Sequence, residues 1–298
     1  MSLPSRFRRP TLLIVGCGDV GQRVLPWVCG RWRVVVLTSS PARVPALREA
    51  GAVPLLGNLD VPATLGRLGG LPDAVLHLAP PPNQGRHDPR TAALLAALAR
   101  GGRVQTFVYA STTGVYGDRG GARIDETVPL RPTTDRAGRR VDAEARVRHF
   151  GRLAAARTAI LRIPGIYAPN REGGDPRERV RRGAPALRTE DDVYTNHIHA
   201  DDLARACVAA LVRAKPGRVV NVCDDTELKM GDYLDLVARI AGLPPVPRLS
   251  RAEAAAQLSP MTMSFLGDSR RSGNERLKRE LRLVLRHPTV AEGLAGAG

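Results

Sequence analysis

Short apolar runs alternate with longer stretches rich in alanine, leucine and arginine over most of the first 222 residues. The apolar runs are rich in valine, isoleucine and leucine, which is the composition of buried strands. The stretches between them have the composition of helices. Strands are therefore predicted at 12–15, 33–37, 53–56, 74–78, 106–109, 159–163 and 219–222. Helices are predicted at 20–29, 42–50, 62–68, 89–99, 136–155 and 201–213.

This alternation predicts an α/β fold, because strand–helix–strand units build a parallel sheet. Repeated before residue 170, it implies a Rossmann-type doubly wound sheet, with ligand at the carboxyl ends of the strands. The alternation stops at 170–195 and again after residue 225. We therefore expect a Rossmann domain at 11–169, with 196–224 returning to the sheet. Residues 170–195 and 225–298 are expected to form a smaller substrate lobe.

Cysteine usage and hydropathy exclude several classes of protein. The four cysteines have no Cys-x-x-Cys spacing, which argues against a zinc cluster and against a disulfide framework. No apolar run approaches the roughly 20 residues that cross a bilayer. The basic N-terminal segment lacks the apolar stretch and cleavage site of a signal peptide. A cytoplasmic protein without a membrane partner is expected.

The net charge of +16 and the pI of about 11.0 raise the possibility of a nucleic-acid partner. Almost all of the excess is arginine, scattered through every segment, and only three residues are lysine. A polyanion surface should instead cluster its cations on one face. Residues 177–182 are the best local candidate, but a solvated charged face is favoured for them. A nucleic-acid partner is therefore not expected.

A glycine motif follows the first predicted strand and opens the first predicted helix. In a Gly-x-Gly-x-x-Gly turn the first glycine allows the tight turn, the second lets backbone approach a pyrophosphate, and the third lets the helix pack on the strand. Backbone amides at the helix start can then hold phosphates. The alternative is a glycine turn without a ligand. The predicted cofactor contacts here are Gly16, Gly18, Asp19, Val20 and Gly21.

The end of the second predicted strand bears on which nicotinamide dinucleotide is used. An acidic residue at this position accepts hydrogen bonds from a ribose 2′-hydroxyl, whereas a 2′-phosphate needs cations. Residues 37–43 contain no carboxylate, but they contain Thr38, Ser39 and Arg43. These residues favour NADP as the cofactor, with NAD still possible. The alternative is that Arg43 is an ordinary surface charge.

Several further motifs carry a resemblance to a known superfamily. Residues 109–117 read Tyr-Ala-Ser-Thr-Thr-Gly-Val-Tyr-Gly at the end of the fifth predicted strand. They resemble the strand-end motif of the extended short-chain dehydrogenases/reductases, the group of NAD-dependent nucleotide-sugar epimerases and dehydratases. The resemblance continues through 160–169, 197–204 and 220–225. Together with 269–274 and 286–288, these motifs resemble a bacterial subgroup of atypical epimerase-like oxidoreductases.

This resemblance implies an NAD(P)-binding oxidoreductase or epimerase that acts on a small molecule, with a nucleotide sugar as one possibility. It also implies a possible homodimer, through two helices that flank the fifth strand. Further cofactor contacts are expected after the later strands. They are Asn58, Leu59, Leu78, Ala79, Pro80, Arg140, Pro164, Gly165 and Ile166.

The catalytic motif of that superfamily is not conserved in this chain. Ordinary members have a Ser or Thr at the end of the fifth strand and a Tyr-x-x-x-Lys on the next helix, where the tyrosine transfers a proton. Thr112 matches the first position, whereas Arg136 and Arg140 stand where the tyrosine and the lysine belong. Arginine stays protonated and cannot donate a proton at neutral pH. Arg140 could still hold ribose hydroxyls, the alternative being a helix-surface charge.

The remaining candidate residues each have a structural alternative. Tyr116 could supply a replacement phenol, although aromatic packing is favoured, and Tyr167 and Tyr194 are equally ambiguous. Asp201 or Asp202 is expected to cap the helix at 201–213. His199 is expected to be a structural, hydrogen-bonded histidine. No metal is expected, because no ligand spacing typical of a metal site is present.

Three functions are compatible with these features. The first is an NAD(P)-dependent epimerase/dehydratase-like oxidoreductase with a modified acid. The second is a dinucleotide-binding redox sensor without turnover, similar to regulatory members of the superfamily that also lack the tyrosine. The third is an RNA-binding protein on the same fold, which only the basic charge recommends. An apparently complete substrate lobe, Tyr116 and Thr112 favour an enzyme, whereas the loss of both tyrosine and lysine favours a sensor.

Overall fold

The computed structural model describes residues 9–295. Its strands are β1 (Thr11–Val15), β2 (Arg33–Thr38), β3 (Val53–Leu56), β4 (Ala74–His77), β5 (Thr106–Thr112), β6 (Arg123–Ile124), β7 (Arg157–Ile163), β8 (Gly165–Tyr167), β9 (Ala186–Leu187), β10 (Tyr194–Thr195), β11 (His197–His199), β12 (Arg218–Asn221), β13 (Leu228–Lys229), β14 (Arg248–Leu249) and β15 (Arg271–Ser272).

The α-helices are α1 (Asp19–Val28), α2 (Val44–Glu49), α3 (Pro89–Ala99), α4 (Asp135–Leu153), α5 (Pro176–Arg181), α6 (Ala200–Arg213), α7 (Met230–Ile240), α8 (Arg251–Gln257), α9 (Pro260–Phe265), α10 (Glu275–Arg279) and α11 (Val290–Ala295). Short 3₁₀ helices form at Pro41–Arg43, Pro62–Leu68 and Thr113–Tyr116.

The main sheet has seven strands in the order β12-β7-β5-β4-β1-β2-β3. The pairs β1–β2, β2–β3, β1–β4 and β4–β5 are parallel. The chain runs outward from β1 to β3 on one side and restarts at β4 on the other, so the direction of winding reverses between β1 and β4. This reversal is the point at which doubly wound sheets bind ligands. The predicted Rossmann-type α/β fold is confirmed.

The predicted elements occur where the hydrophobic pattern places them, to within two residues at most of their ends, with three larger differences. The helix predicted at 42–50 forms as a 3₁₀ helix, Pro41–Arg43, followed by α2. The helix predicted at 62–68 is a 3₁₀ helix that contains Gly66 and precedes Gly69. Glycine disfavours the interior of an α-helix. The strand predicted at 106–109 continues to Thr112. The prediction ended too early because the last three residues of the strand are small and do not continue the run of large apolar residues.

The expected capping of the sixth helix by an aspartate is wrong. Helix α6 begins at Ala200, so Asp201 and Asp202 lie inside its first turn. The Asp202 carboxylate instead accepts hydrogen bonds from the backbone N–H groups of Arg286 and His287 at 2.8–3.0 Å. The Asp202 carboxylate therefore binds backbone groups far away in the sequence instead of capping its own helix.

The chain divides into two compact units. The first comprises Met1–Ser111, Arg139–Leu161 and Ala204–Val219. Its core is formed by inward-facing residues of the sheet and of the helices that cover it. These core residues include Leu13, Val35, Val75, Phe107, Val147 and Ile160.

The second unit comprises Thr112–Gly138, Arg162–Leu203 and Val220–Gly298. Its described residues, which end at 295, form four two-stranded sheets, β10–β13, β8–β11, β9–β14 and β6–β15. Both segments of the expected substrate lobe lie in this unit, and their role in substrate binding stays a prediction. Its core includes Tyr167, Leu187, Tyr233, Leu234, Val237 and Leu294.

Between residues 9 and 295, no helix combines the length and the apolar character that crossing a bilayer requires.

Candidate dinucleotide site and catalytic positions

The glycine turn after β1 lies against the chain that leaves β4. The Val15 carbonyl accepts hydrogen bonds from the N–H groups of Leu78 and Ala79 at 2.7 and 2.9 Å. Gly16 has φ +87°, and a Cβ atom there would lie 2.4 Å from the Ala79 nitrogen. Only glycine fits this position, because backbone conformation and space both exclude a side chain. The turn is therefore built into the crevice where the winding of the sheet reverses.

The other two motif glycines have opposite surroundings. A Cβ atom at Gly18 would meet nothing within 4 Å, whereas one at Gly21 would lie 3.1 Å from the Cys17 Sγ and 3.2 Å from the Gly16 carbonyl oxygen. Gly21 therefore permits close packing of α1, and Gly18 leaves open space in front of the helix. No side chain caps the first turn of α1, which contains Asp19 and Val20. Its amides are thus available to an anion.

Arg43 lies beside this turn. Its Nη2 donates a hydrogen bond to the Cys17 carbonyl in the middle of the glycine motif. Thr38 is buried at the end of β2 and Ser39 is exposed. No carboxylate occurs in 37–43. A cation and two hydroxyl groups therefore stand where the ribose of a bound dinucleotide is expected, and this set suits a phosphate better than a 2′-hydroxyl.

The loops after β3 and β4 are held together by one arginine. Arg90 donates two hydrogen bonds to the Asp60 carboxylate at 2.6 and 2.7 Å and a third to the Pro80 carbonyl at 3.2 Å. Both loops follow carboxyl ends of parallel strands, at the same edge of the sheet. The predicted contacts on these loops, whose roles stay predictions, are Asn58, Leu59, Leu78, Ala79 and Pro80.

Arg140 lies in α4 and contacts the end of β5. Its Nη1 donates to the Tyr109 hydroxyl at 3.0 Å and to the Ala110 carbonyl at 2.9 Å. Among residues 9–295, Arg140 makes no side-chain hydrogen bonds other than these two. Its Nε and Nη2 atoms are therefore available to a ligand. Burial and the neighbouring Arg140 charge lower the pKa of His77 to about 3, so that imidazole is neutral. The Arg140 guanidinium is thus an anchored cation at the lysine position of the family motif.

The two other positions of the motif lie in the second unit. The Thr112 Oγ1 accepts the Gly114 N–H at 3.2 Å and begins the 3₁₀ helix Thr113–Tyr116. Its hydroxyl proton can still be donated. Arg136 is exposed, and its guanidinium lies 4.3 Å from the centroid of the Phe265 ring, a cation–π contact. The tyrosine position therefore holds a permanent cation.

The tyrosines considered as replacement phenols are packed in the second unit. Tyr116 is fully buried, its hydroxyl donates to Asn221 Oδ1 at 2.7 Å, and the Arg162 guanidinium lies 4.7 Å from its ring centroid. The hydroxyl of Tyr167 donates to the Thr289 carbonyl at 3.2 Å. The Tyr194 ring makes a cation–π contact with an arginine guanidinium. These contacts favour the packing interpretation of all three side chains.

The predicted contacts at 164–166 also lie in the second unit. Gly165 and Ile166 belong to β8, which pairs in parallel with β11. A Cβ atom at Gly165 would lie 3.4 Å from the His197 ring, an ordinary to tight contact. Pro164 lies between β7 and β8. Cofactor contact by these residues stays a prediction.

Sequence reasoning missed one group of side chains. His199, Asp201 and His287 each place a metal-ligating atom within 4.8 Å of the other two. No spacing rule could find this group, because His287 lies far downstream in a different segment. His199 Nδ1 accepts the Asp201 N–H at 3.2 Å, as expected of a structural histidine.

Comparison with known proteins places these motifs in a family. Residues 13–223 match the model of the NAD dependent epimerase/dehydratase family. That range contains the glycine turn and the positions of the Ser/Thr and Tyr-x-x-x-Lys motifs.

Two curated relatives match parts of the chain. A GDP-6-deoxy-D-mannose reductase of Pseudomonas aeruginosa is 30% identical over 214 residues, which is 63% of this chain and 70% of the relative. The human dTDP-D-glucose 4,6-dehydratase is 26% identical over 145 residues, which is 46% of this chain. The chain thus matches only 41% of the length of the human relative.

Solved structures match over nearly the whole chain. A conserved protein of unknown function from Silicibacter pomeroyi is 32% identical, with a TM-score of 0.79 over 97% of this chain and 98% of that one. The UDP-glucose 4-epimerase of Thermotoga maritima, solved with UDP-glucose, has a TM-score of 0.76 at 19% identity over 96% of each chain. A dTDP-glucose 4,6-dehydratase mutant from Streptomyces venezuelae, solved with NAD, has a TM-score of 0.76 at 20% identity, covering 95% of this chain and 94% of that one.

Proposed function

The chain belongs to the NAD dependent epimerase/dehydratase family, and from that membership we propose that it is an NADP-preferring oxidoreductase or epimerase with a modified proton-transfer site. The observation that carries the proposal is the glycine turn, where Gly16 is pressed against Ala79, Gly18 opens onto free space and Arg43 bonds to the Cys17 carbonyl. A turn without a ligand needs no cation and no open space beside its amides.

The residues of the first unit fit a nicotinamide dinucleotide. The turn around Gly18 and the first amides of α1 would hold the pyrophosphate. Thr38, Ser39 and Arg43 would hold the adenosine ribose and its phosphate. Arg140 would donate from Nε and Nη2 to ribose hydroxyls, as the family lysine does. When bound, the cofactor supplies a hydride acceptor or donor.

Proton transfer must follow a route that does not use a tyrosine. Thr112 would donate a hydrogen bond to the substrate oxygen. Arg136 would stabilise negative charge on substrate without giving up its own proton. In this proposal the proton is exchanged with solvent water, so turnover should be slower than with a tyrosine acid, whose contribution is typically about 10²- to 10⁴-fold.

We assign the substrate to the second unit and to the nucleotide-sugar class. The support is that the curated relatives are named for reactions of such compounds and that the Thermotoga maritima neighbour was solved with UDP-glucose. The second unit has its own apolar core and contains the segments outside the regular strand–helix alternation.

A calorimetric titration tests the cofactor assignment. The full chain, freed of carried-over ligand, is titrated with NADPH and with NADH, each in the absence and presence of single-stranded RNA. We expect tight NADPH binding that RNA does not change. Absence of binding of either dinucleotide would refute both the enzyme and the sensor hypotheses, and tight RNA binding would favour the third.

A non-catalytic redox sensor is the second candidate, and Arg136 at the tyrosine position favours it. The two functions differ in turnover. With NADPH and oxidised nucleotide sugars, or with NADP and reduced ones, an oxidoreductase changes the absorbance of the nicotinamide over time. An epimerase returns the hydride, and its turnover is detected as conversion of the sugar. Tight binding without turnover across this panel, and with no solvent-proton exchange into the sugar, would establish the sensor instead.

Replacing Arg43 with alanine tests the choice of cofactor. We expect Arg43→Ala to weaken NADPH binding by roughly 10- to 100-fold, since a hydrogen bond to a charged group contributes about 1.5–3 kcal/mol, and to change NADH binding less than about threefold. Arg48→Ala is the matched control, because it removes the same charge from an exposed position of α2. Equal losses for NADPH and NADH would show that Arg43 does not contact the 2′-phosphate.

A further inference from the structure

Three side chains of metal-ligating types meet in the second unit, at positions that the proposed cofactor and catalytic residues do not include. His199 ends β11, Asp201 lies in the first turn of α6, and His287 lies in the segment that precedes α11. One ligand atom from each lies within 4.8 Å of the other two. His199 is buried, whereas His287 is half-buried and the Asp201 side chain is 45% exposed. An ion from solution can therefore reach the group.

The backbone of this region is held in place by hydrogen bonds. The fully buried Asp202 carboxylate accepts the N–H groups of Arg286 and His287, which fixes the His287 backbone against α6. The His287 ring then lies over the His199 ring, with 3.8 Å between centroids and a tilt of 35°. The Tyr167 ring also meets the His199 ring edge-on, with 5.3 Å between centroids. The two imidazoles are thus brought together by the fold.

The chemistry of the group is that of a transition-metal site. Two imidazoles and one carboxylate are the ligands that Zn²⁺ and related divalent ions take in proteins. With metal–ligand distances of about 2.0–2.1 Å, tetrahedral ligand atoms lie roughly 3.3 Å apart. His287 and Asp201 would have to move inward by an ångström or so, and their exposure permits this. His199 is the buried anchor, and binding at Nδ1 would exchange its 3.2 Å contact with the Asp201 N–H for a metal bond.

We propose that His199, Asp201 and His287 form a binding site for a divalent transition-metal ion, Zn²⁺ in particular. The ion would join β11 and the start of α6 to the segment around His287, which are far apart in the sequence. The fourth position would be open to water, because two of the three ligands face solvent. The expected consequence is stabilisation of the folded chain by the bound metal.

Calorimetry with Zn²⁺ on the full chain, treated with chelator and then dialysed, tests the proposal. We expect one ion per chain and a rise in melting temperature on binding. His287→Phe keeps an aromatic ring against His199 but removes a ligand, and it should weaken Zn²⁺ binding by more than about tenfold, since even outer-shell partners contribute roughly 10- to 100-fold. His149→Phe, at an exposed position of α4, is the matched control and should leave binding unchanged.

Co²⁺ distinguishes this site from a thiolate site. Bound at His199, Asp201 and His287, it should give visible d–d absorption without a sulfur charge-transfer band. Charge transfer would place the ion at Cys29, the half-buried thiol, and would overturn the proposal. No Zn²⁺ binding, or equal binding by the wild type and His287→Phe, would also overturn it. NADPH affinity should be the same in His287→Phe, so this outcome is independent of the proposed cofactor site.

Discussion

Gly18→Val is expected to abolish dinucleotide binding while leaving the protein folded. In the absence of ligand, a Cβ atom at Gly18 would meet nothing within 4 Å. The backbone there has φ −74° and ψ −155°, an extended conformation that valine can adopt. The fold therefore tolerates the side chain. The same branched side chain would fill the space in front of the α1 amides, where phosphates must approach. We expect affinity for NADPH to fall by at least about 100-fold, corresponding to about 2.7 kcal/mol.

Two other glycines give matched controls for that result. A Cβ atom at Gly30 also meets nothing within 4 Å, but this residue lies in the turn between α1 and β2. Gly30→Val should therefore bind NADPH as the wild type does. Gly16→Ala should instead destabilise the fold by several kcal/mol, because φ is +87° and the new Cβ would clash with the Ala79 backbone. Calorimetry and thermal melting of the three variants separate these outcomes. NADPH binding by a folded Gly18→Val protein would refute the phosphate site.

The sheet of the first unit could be predicted because its information is local. The inner strands β1, β4 and β5 are runs of mainly apolar residues buried on both faces, whereas the edge strand β3 is partly exposed. Most of the intervening helices are long enough to be recognised by composition. The helix at Pro89–Ala99 occurs with the bounds predicted, since Asp88 caps it and Pro89 begins it. The glycine motif could also be recognised from the sequence, because a separate steric requirement explains the glycine at each of its three positions.

The second unit could not be predicted in the same way. Its strands are only two or three residues long, and they pair with partners far away along the chain, as β6 does with β15. Neither periodicity nor turn residues signal such pairs. The same limit explains why the contact between the Asp202 carboxylate and the His287 backbone was not predicted. The local pattern indicated a helix cap, whereas the actual partners of the carboxylate are backbone amides far downstream.

The catalytic positions could be predicted in part, less well than the sheet of the first unit and better than the strands of the second unit. The sequence motif aligned Arg136 and Arg140 with the family tyrosine and lysine, but it could not say what each guanidinium contacts. Arg140 is anchored on β5 by two hydrogen bonds, which suits a role in holding a ligand. Arg136 lies over Phe265, a residue that no motif connects with it. Contacts of that kind depend on the packing of the second unit and become visible only in three dimensions.

Asp224 should make the stability of the protein fall as the pH rises. This residue is 5% exposed, and within residues 9–295 its Oδ2 has no hydrogen-bond partner, while Oδ1 accepts the Thr226 N–H at 2.9 Å. Burial, with the nearby Asp225 and Asp202 charges, raises the pKa of the carboxyl from 3.8 to about 8. Between these two values the folded state keeps a proton that the unfolded state loses, so each pH unit costs up to about 1.4 kcal/mol of stability.

The variant Asp224→Asn isolates this effect from all other titrating groups. Asparagine keeps an acceptor for the Thr226 N–H and cannot ionise. Urea unfolding of both proteins from pH 5 to pH 9 gives the difference in unfolding free energy at each pH. Because every other titratable group is the same in both proteins, the contribution of these groups cancels in this difference. The wild type should lose stability relative to the variant by about 1 kcal/mol or more per pH unit up to pH 7, and the loss should level off above pH 8. Parallel curves would mean that the Asp224 carboxyl keeps an ordinary pKa in the fold, and that water or an ion reaches its second oxygen.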